Sequence, residues 1–226
     1  MPARGGTWAT HDPVERREAT LDLDGMLLPG LLTVPSRARG VVAFAHGSGS
    51  SWLSPRNRLV ASSLHDAGIG SLLFDLLSEE ESLERRNVFD VPLLAGRLEG
   101  AIRWLGLQPQ AGTLPIGAFG ASTGAAAALW AAAELPGTVR AVVSRGGRPD
   151  LAAARLGAVR APTLLVVGGA DPVVLDLNRR ALTLLGCRAE LRVVAGAGHL
   201  FEEPGALEQV AGLARDWFTA HLGAPR

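Results

Sequence analysis

The stretch Ile116-Gly117-Ala118-Phe119-Gly120-Ala121-Ser122-Thr123-Gly124, running into the alanine-rich segment Ala125 to Leu135, decides how this sequence reads. A short apolar run is the form expected of a strand buried on both faces, and the alanines that follow are strong helix formers. Between the two stands Gly120-x-Ser122-x-Gly124, a G-x-S-x-G in the strand-turn-helix setting that a nucleophile elbow requires. A tight, strained turn lifts the serine hydroxyl clear of the sheet, and a β-carbon at Gly120 or Gly124 would collide with the neighbouring strand or helix. With 12 serines and 28 glycines in 226 residues, chance alone supplies about 0.2 such matches, so the placement rather than the pattern singles out Ser122.

Working outward, Val41 to Ala45, Ser71 to Phe74, Ala141 to Val143, Leu164 to Val167 and Leu191 to Val194 are further short apolar runs. Ahead of them Val14 to Leu23 alternates and Met26 to Val34 is apolar, with Asp24-Gly25 between as a hairpin signal, an antiparallel edge. Helical spacing recurs in Leu59-Val60-Ser63-Leu64, closed by Gly68, in Leu94, Leu98, Ala101, Ile102 and Leu105, and in Leu207 to Leu222. Strand and helix thus alternate about six times, which specifies an α/β fold: a doubly wound, mostly parallel sheet of about eight strands with an antiparallel N-terminal edge and helices on both faces. No linker or internal repeat interrupts the pattern, so residues 1–226 read as one domain. The charged run Glu79 to Arg86 fits a solvated loop.

Composition narrows the chemistry. The chain is 47% hydrophobic, enough for a sizeable core. Its 22 basic residues are all arginine, and there is neither lysine nor tyrosine. That excludes a Walker P-loop, a Schiff base to pyridoxal phosphate, a Ser-Lys dyad and a Tyr/Lys reductase pair. Basic and acidic residues balance at 22 each, and the arginines are scattered, so nucleic acid is not an expected partner. Cys187, the single cysteine, precludes an internal disulfide or a Cys-rich metal site. Met1 to Thr10 has no apolar signal-peptide core, and Ala125 to Leu135 is too short to span a bilayer. The expectation is a soluble cytoplasmic protein without membrane attachment.

In open α/β sheets, ligands bind beyond the carboxyl ends of the strands. A serine hydroxyl needs a histidine base, itself oriented by a carboxylate. Of the five histidines, only His199 follows a strand in a small-residue loop, Ala195 to Gly198; His65 and His221 fall in helices and His11 in the N-terminal segment. For the carboxylate, Asp171 in Gly168-Gly169-Ala170-Asp171-Pro172 is favoured, because Pro172 keeps it out of the helical conformation. Asp150 is its rival, and Asp176 lies inside the next helix. After Val41 to Ala45 comes His46-Gly47-Ser48-Gly49-Ser50-Ser51, whose glycines let backbone amides approach a developing oxyanion. The amide of Thr123, at a helix N-terminus, and an amide near Ser48 are the expected oxyanion hole, with His46 bracing the loop.

The order Ser122, Asp171, His199 behind a His-Gly-x-Gly loop resembles the α/β-hydrolase superfamily from about Val14 to Leu222. The small size and the absence of a long insertion before Leu164 are similar to its dienelactone-hydrolase-like branch. Dienelactone hydrolases proper carry cysteine in the elbow, where this chain has Ser122. The resemblance implies Ser122 as nucleophile, His199 as base and acid, Asp171 as its orienter, amides of Ser48 and Thr123 as the oxyanion hole, and neither metal nor organic cofactor.

Arg145 to Pro162 is too short for a cap domain, so the site is expected to be open and to favour small esters, since each extra methylene left wet forgoes about 0.8 kcal/mol. Trp52, Leu53, Phe89 and Phe201 are candidates for the apolar wall. Arg145 and Arg148 are candidates to meet an acidic substrate, and Glu202 and Glu203 to solvate the last helix. The reading is a serine ester hydrolase acting on a small-molecule ester, as monomer or homo-oligomer. Lactone or C–C bond hydrolysis, acyl transfer and an idle binding protein of the same fold are the alternatives.

Overall fold

The computed structural model describes residues 14–223; His11 lies outside them. The chain opens with β1 (Val14–Leu23) and β2 (Met26–Pro35), paired antiparallel from Val14 opposite Pro35 to Leu23 opposite Met26. Asp24 and Gly25 make the turn with φ of 56° and 86°, the backbone signature that an Asp-Gly hairpin supplies. Next come β3 (Val41–Ala45), α1 (Pro55–Asp66), β4 (Gly70–Phe74), α2 (Glu79–Leu83), α3 (Arg85–Val88), α4 (Val91–Gly106) and β5 (Ile116–Ala121). The second half holds α5 (Thr123–Glu134), β6 (Val139–Arg145), α6 (Ala153–Leu156), β7 (Thr163–Gly168), α7 (Pro172–Leu184), β8 (Ala189–Val194) and α8 (Ala206–Leu222).

The eight strands form one sheet in the order β1-β2-β4-β3-β5-β6-β7-β8. β2 meets β4 antiparallel and every later pair is parallel. All residues of β3, β4, β5 and β7 are buried, as strands covered on both faces must be. α1 and α8 cover one face, with Leu64, Phe119, Trp217 and Phe218 in that core. α4 and α5 cover the other, with Leu72, Leu98, Ile102 and Leu129.

α5 packs tightly on the sheet, and its sequence explains why: Ala125 to Leu129, Ala131 and Ala132 are all buried. A Cβ on Gly120 would stand 2.4 Å from Ala125 Cα, and one on Gly124 would stand 2.3 Å from the Ala45 carbonyl oxygen. Glycine at both positions therefore allows strand β5 to turn into α5 without opening the sheet.

One element departs from expectation. Glu79 to Arg86 is not a loop but enters the two short helices α2 and α3. The Ser78 hydroxyl accepts from Glu81 N–H while the Glu81 carboxylate accepts from Ser78 N–H, a reciprocal cap that starts a helix despite the charge. Between β6 and β7 there is only a 3-10 turn (Pro149–Ala152) and α6. Among the described residues no helix is long and apolar enough to cross a membrane.

Candidate active site

Ser122 caps α5 with φ 52° and ψ −119°, a conformation that L-residues other than glycine adopt at a cost of about 1–3 kcal/mol. Its N–H donates to the Arg145 carbonyl, and its carbonyl accepts from Ala125 and Arg148 N–H, so neighbouring backbone holds the strained turn. Ser122 Oγ lies 3.3 Å from His199 Nε2, and His199 Nδ1 lies 2.8 Å from Asp171 Oδ2. A carboxylate only accepts, so Nδ1 carries the proton and the Nε2 lone pair faces the serine hydroxyl.

Two adjacent strand ends deliver the histidine and the acid. Gly169 N–H donates to Val194 O at 2.8 Å and Ala170 N–H to Ala197 O at 2.9 Å, tying the two loops. A Cβ on Gly168 would stand 2.3 Å from Ala197 O. Asp171 also caps α7, its Oδ1 accepting from Val174 N–H at 3.3 Å. The rival Asp150 is held two-pronged by Arg148 at 2.9 and 2.7 Å. Asp176 pairs with Arg180 one turn on.

The remaining expectations divide. Trp52 and Leu53 do line a cavity of about 720 Å³ that opens beside the elbow, bounded by Leu27, Leu76, Val88 and Leu94 and reaching Ser48 and Thr123. Phe201 does not: it is 2% exposed and packs in the α1/α8 core. Its φ of 56° turns the chain two residues after His199. Phe89 is not in the cavity wall either; it is exposed, with the Arg85 guanidinium 5.8 Å above its ring. Glu203 accepts from Gly198 N–H at 2.9 Å, bracing the histidine loop, and Glu202 faces Arg56 at 3.4 Å. Arg148 is paired with Asp150. Arg145 is buried, and burial holds its guanidinium down to about 10.

The Ser48 N–H, expected to face a substrate oxygen, instead donates to Thr123 Oγ1 at 3.0 Å. The loop carrying it is fixed by two groups. His46 Nε2 accepts from Leu76 N–H at 3.1 Å and Nδ1 contacts Gly47 O at 3.0 Å. Nε2 also stands 3.7 Å from Asp75 Oδ1, but a nitrogen that accepts an amide has no proton for a carboxylate. His46 is therefore neutral, in keeping with the burial that pushes its basicity below the ordinary histidine value. Asp75 was not among the expected site residues; it accepts from Trp52 N–H at 2.7 Å, and burial raises its carboxyl above the usual range. Its position directly after the apolar run of β4 was the available signal, a carboxylate at a strand's carboxyl end.

These features have counterparts in known proteins. Two Mycobacterium tuberculosis proteins, from strains CDC 1551 and H37Rv and provisionally named as phosphoribosyl transferases, are 58% identical over 222 residues. The match takes in 98% of this chain and 50% of theirs, so the chain spans about half the length of the curated relatives it matches. The crystal structure of a dienelactone hydrolase from Anabaena variabilis is 51% identical and superposes with a TM-score of 0.89 over 92% of this chain and 98% of that one. Est1E from Butyrivibrio proteoclasticus shares the fold at 13% identity, with a TM-score of 0.79 over 92% and 99% of the two chains. A sequence profile described as the dienelactone hydrolase family matches residues 30–220, most of the chain, and this protein belongs to that family.

Proposed function

We propose that the chain is a serine ester hydrolase that cleaves small carboxylic esters through an acyl-enzyme. The observation that carries the proposal is the row Ser122 Oγ, His199 Nε2 and Nδ1, Asp171 Oδ2, with contacts of 3.3 and 2.8 Å. In that row Ser122 Oγ attacks the ester carbonyl carbon as its proton passes to His199 Nε2. The Thr123 N–H, at the head of α5 where the helix dipole favours negative charge, faces the oxyanion that forms. The tetrahedral intermediate collapses when the alkoxide leaves with the proton from Nε2, and the acyl group remains on Ser122. Water then attacks the acyl carbon, giving its proton to His199. The acid departs and Ser122 Oγ regains a proton. Asp171 keeps the ring in the required tautomer throughout.

A lactone is a cyclic ester that the same row would open by the same steps, so the lactone hydrolysis for which the family is named stands as the alternative to small acyclic esters. The cavity beside Thr123 accommodates the apolar part of the substrate, Leu27, Leu76 and Val88 forming its walls. The phosphoribosyl transferase name belongs to proteins of which the matched stretch is 50%, and it is not carried over to this chain. The test is labelling by a fluorophosphonate with mass-spectrometric site mapping, together with hydrolysis of p-nitrophenyl acetate, butyrate and longer esters. Modification at Ser122 and faster turnover of the short esters are expected. Full turnover by Ser122→Ala excludes the reading.

A further inference from the structure

We infer that the side-chain hydroxyl of Thr123, not the backbone amide of Ser48, is the second hydrogen-bond donor to the oxyanion. The inference rests on the acyl-transfer reading above and assigns a catalytic residue within it.

Acyl transfer places a negative oxygen next to Ser122, and two converging donors usually meet it. The Ser48 N–H is the donor that the loop after β3 would contribute, but it points at Thr123 Oγ1 at 3.0 Å. For it to turn to substrate, that bond must break and leave Oγ1 without its partner on a residue 3% exposed, which is costly in a buried setting. A threonine hydroxyl has one proton and two lone pairs. Ser48 N–H engages a lone pair, and no acceptor among the described residues takes the proton. Thr123 is also the first residue of α5, so its backbone N–H is one of the orphan donors of a helix start. One residue therefore carries two unspent donors, lies next to Ser122 in the chain, and reaches the cavity wall.

The Ser48 bond then has a role of its own. By occupying one lone pair it orients the hydroxyl, which otherwise rotates freely about its C–O bond, and the donor is preset before substrate arrives. The same bond anchors the Gly47-Ser48-Gly49 loop to the elbow. Gly47 permits that approach, because a Cβ there would stand 3.1 Å from both Ala121 O and Ser122 Cβ.

The test compares Thr123→Val, which keeps the shape and removes the hydroxyl, with Thr123→Ser, which keeps the hydroxyl and removes the methyl. kcat and KM are measured with p-nitrophenyl acetate, and the inhibition constant of phenylboronic acid, which forms a tetrahedral adduct on serine, is measured in parallel. Thr123→Val is expected to lose about 100-fold in kcat, the scale of one oxyanion donor, with KM changed less than threefold. Its boronate inhibition constant is expected to rise with the loss in kcat/KM. Thr123→Ser is expected to keep kcat within about threefold. Thr123→Ala lacks the same hydroxyl and is read in place of Thr123→Val should the latter not fold.

Wild-type-like kcat in Thr123→Val would hand the oxyanion to the backbone of the Gly47 to Gly49 loop and overturn the inference. A faster Thr123→Val would do so too, by showing that the hydroxyl obstructs the Ser48 amide. Equal losses in the Val and Ser variants would reduce Thr123 to packing. If the wild-type protein turns over no ester and Ser122 takes up no fluorophosphonate, the acyl-transfer reading itself has failed, a result distinct from all of these.

Discussion

Replacing Asp171 with asparagine separates the two tasks of its carboxylate. Oδ2 accepts from His199 Nδ1 at 2.8 Å, and Oδ1 accepts from Val174 N–H at 3.3 Å as the cap of α7. Asparagine caps helices as well as aspartate, so α7 keeps its start, and the midpoint of thermal unfolding should move by less than about 3 °C. The cap also decides which way the new amide points. Its oxygen is retained by Val174 N–H, so its NH2 faces Nδ1, and a nitrogen that must now accept gives up its proton to Nε2. The ring then presents N–H to Ser122 Oγ and is unable to receive the serine proton. The wrong tautomer in a Ser-His-Asp row costs about 10⁴ in kcat, or about 5 kcal/mol of barrier. No second carboxylate takes over, because both oxygens of Asp150 are bound by Arg148 at 2.9 and 2.7 Å. Steady-state hydrolysis of p-nitrophenyl acetate beside a thermal melt measures both quantities. An Asp171→Asn protein with kcat within tenfold of wild type and an intact melt would refute the reasoning and place the orienting group elsewhere.

Three further perturbations address the scaffold. Gly124→Ala places a Cβ 2.3 Å from Ala45 O and 2.4 Å from His46 O, both backbone atoms; α5 must retreat, costing at least the 1–3 kcal/mol of an overpacked core and opening the 3.3 Å contact of Ser122 with His199, so urea denaturation and turnover should both suffer, and unchanged values in both would contradict the tight approach. Burial, aided by Arg16, holds His65 down to about 4 from 6.5, so between those values the unfolded chain takes up a proton the native one refuses, and stability falls by up to about 3 kcal/mol as pH drops through that window. His65→Gln should remove most of that slope in urea melts at pH 7 and 4.5, and an unaltered slope would acquit the histidine. Arg145→Met should hold or raise stability by about 1–3 kcal/mol, because Arg145 Nη1 is buried with no partner among the described residues, whereas a loss of more than 1 kcal/mol would reveal a contact of its own.

Much of this architecture was legible because local signals and global packing agreed. β3, β5, β6 and β7 are short apolar runs between glycines or prolines, and β1 announces itself by alternation. Ser122 was legible for the same reason: strand, glycine, serine, glycine and helix are contiguous, and the turn they make is local. What escaped depends on atoms far apart in sequence. Ser48 and Thr123 are separated by 75 residues, and no pattern around either tells that the threonine hydroxyl takes the amide. Phe201 reads as a loop aromatic beside His199, yet its ring lies in the core under α1 and α8. The choice between Asp171 and Asp150 was nearer to hand, since Arg148 stands two residues before Asp150 and a pair so close neutralises it locally. Likewise the Ser78-x-x-Glu81 box marks a helix start inside what composition alone presents as a charged loop.

The strand order brings the three groups together across the sheet. His199 and Asp171 come from loops after β8 and β7, which are neighbours, so backbone bonds between Ala170 and Ala197 suffice to set their spacing. Ser122 follows β5, and β6 lies between β5 and β7 in the sheet. The imidazole must therefore pass over the end of β6, where a side chain would ordinarily stand. Gly146 occupies that point at φ 52°, and a Cβ there would stand 3.2 Å from His199 O and 3.6 Å from its Cε1. The buried ring of Phe201 packs at the same point, its Cε2 3.5 Å from where a Cβ on Gly146 would stand. Glycine in one strand's exit and a phenylalanine anchored in the core thus do for His199 what Gly120 and Gly124 do for Ser122: they bring the group to a fixed point above the sheet, where a 3.3 Å contact can form between residues 77 positions apart.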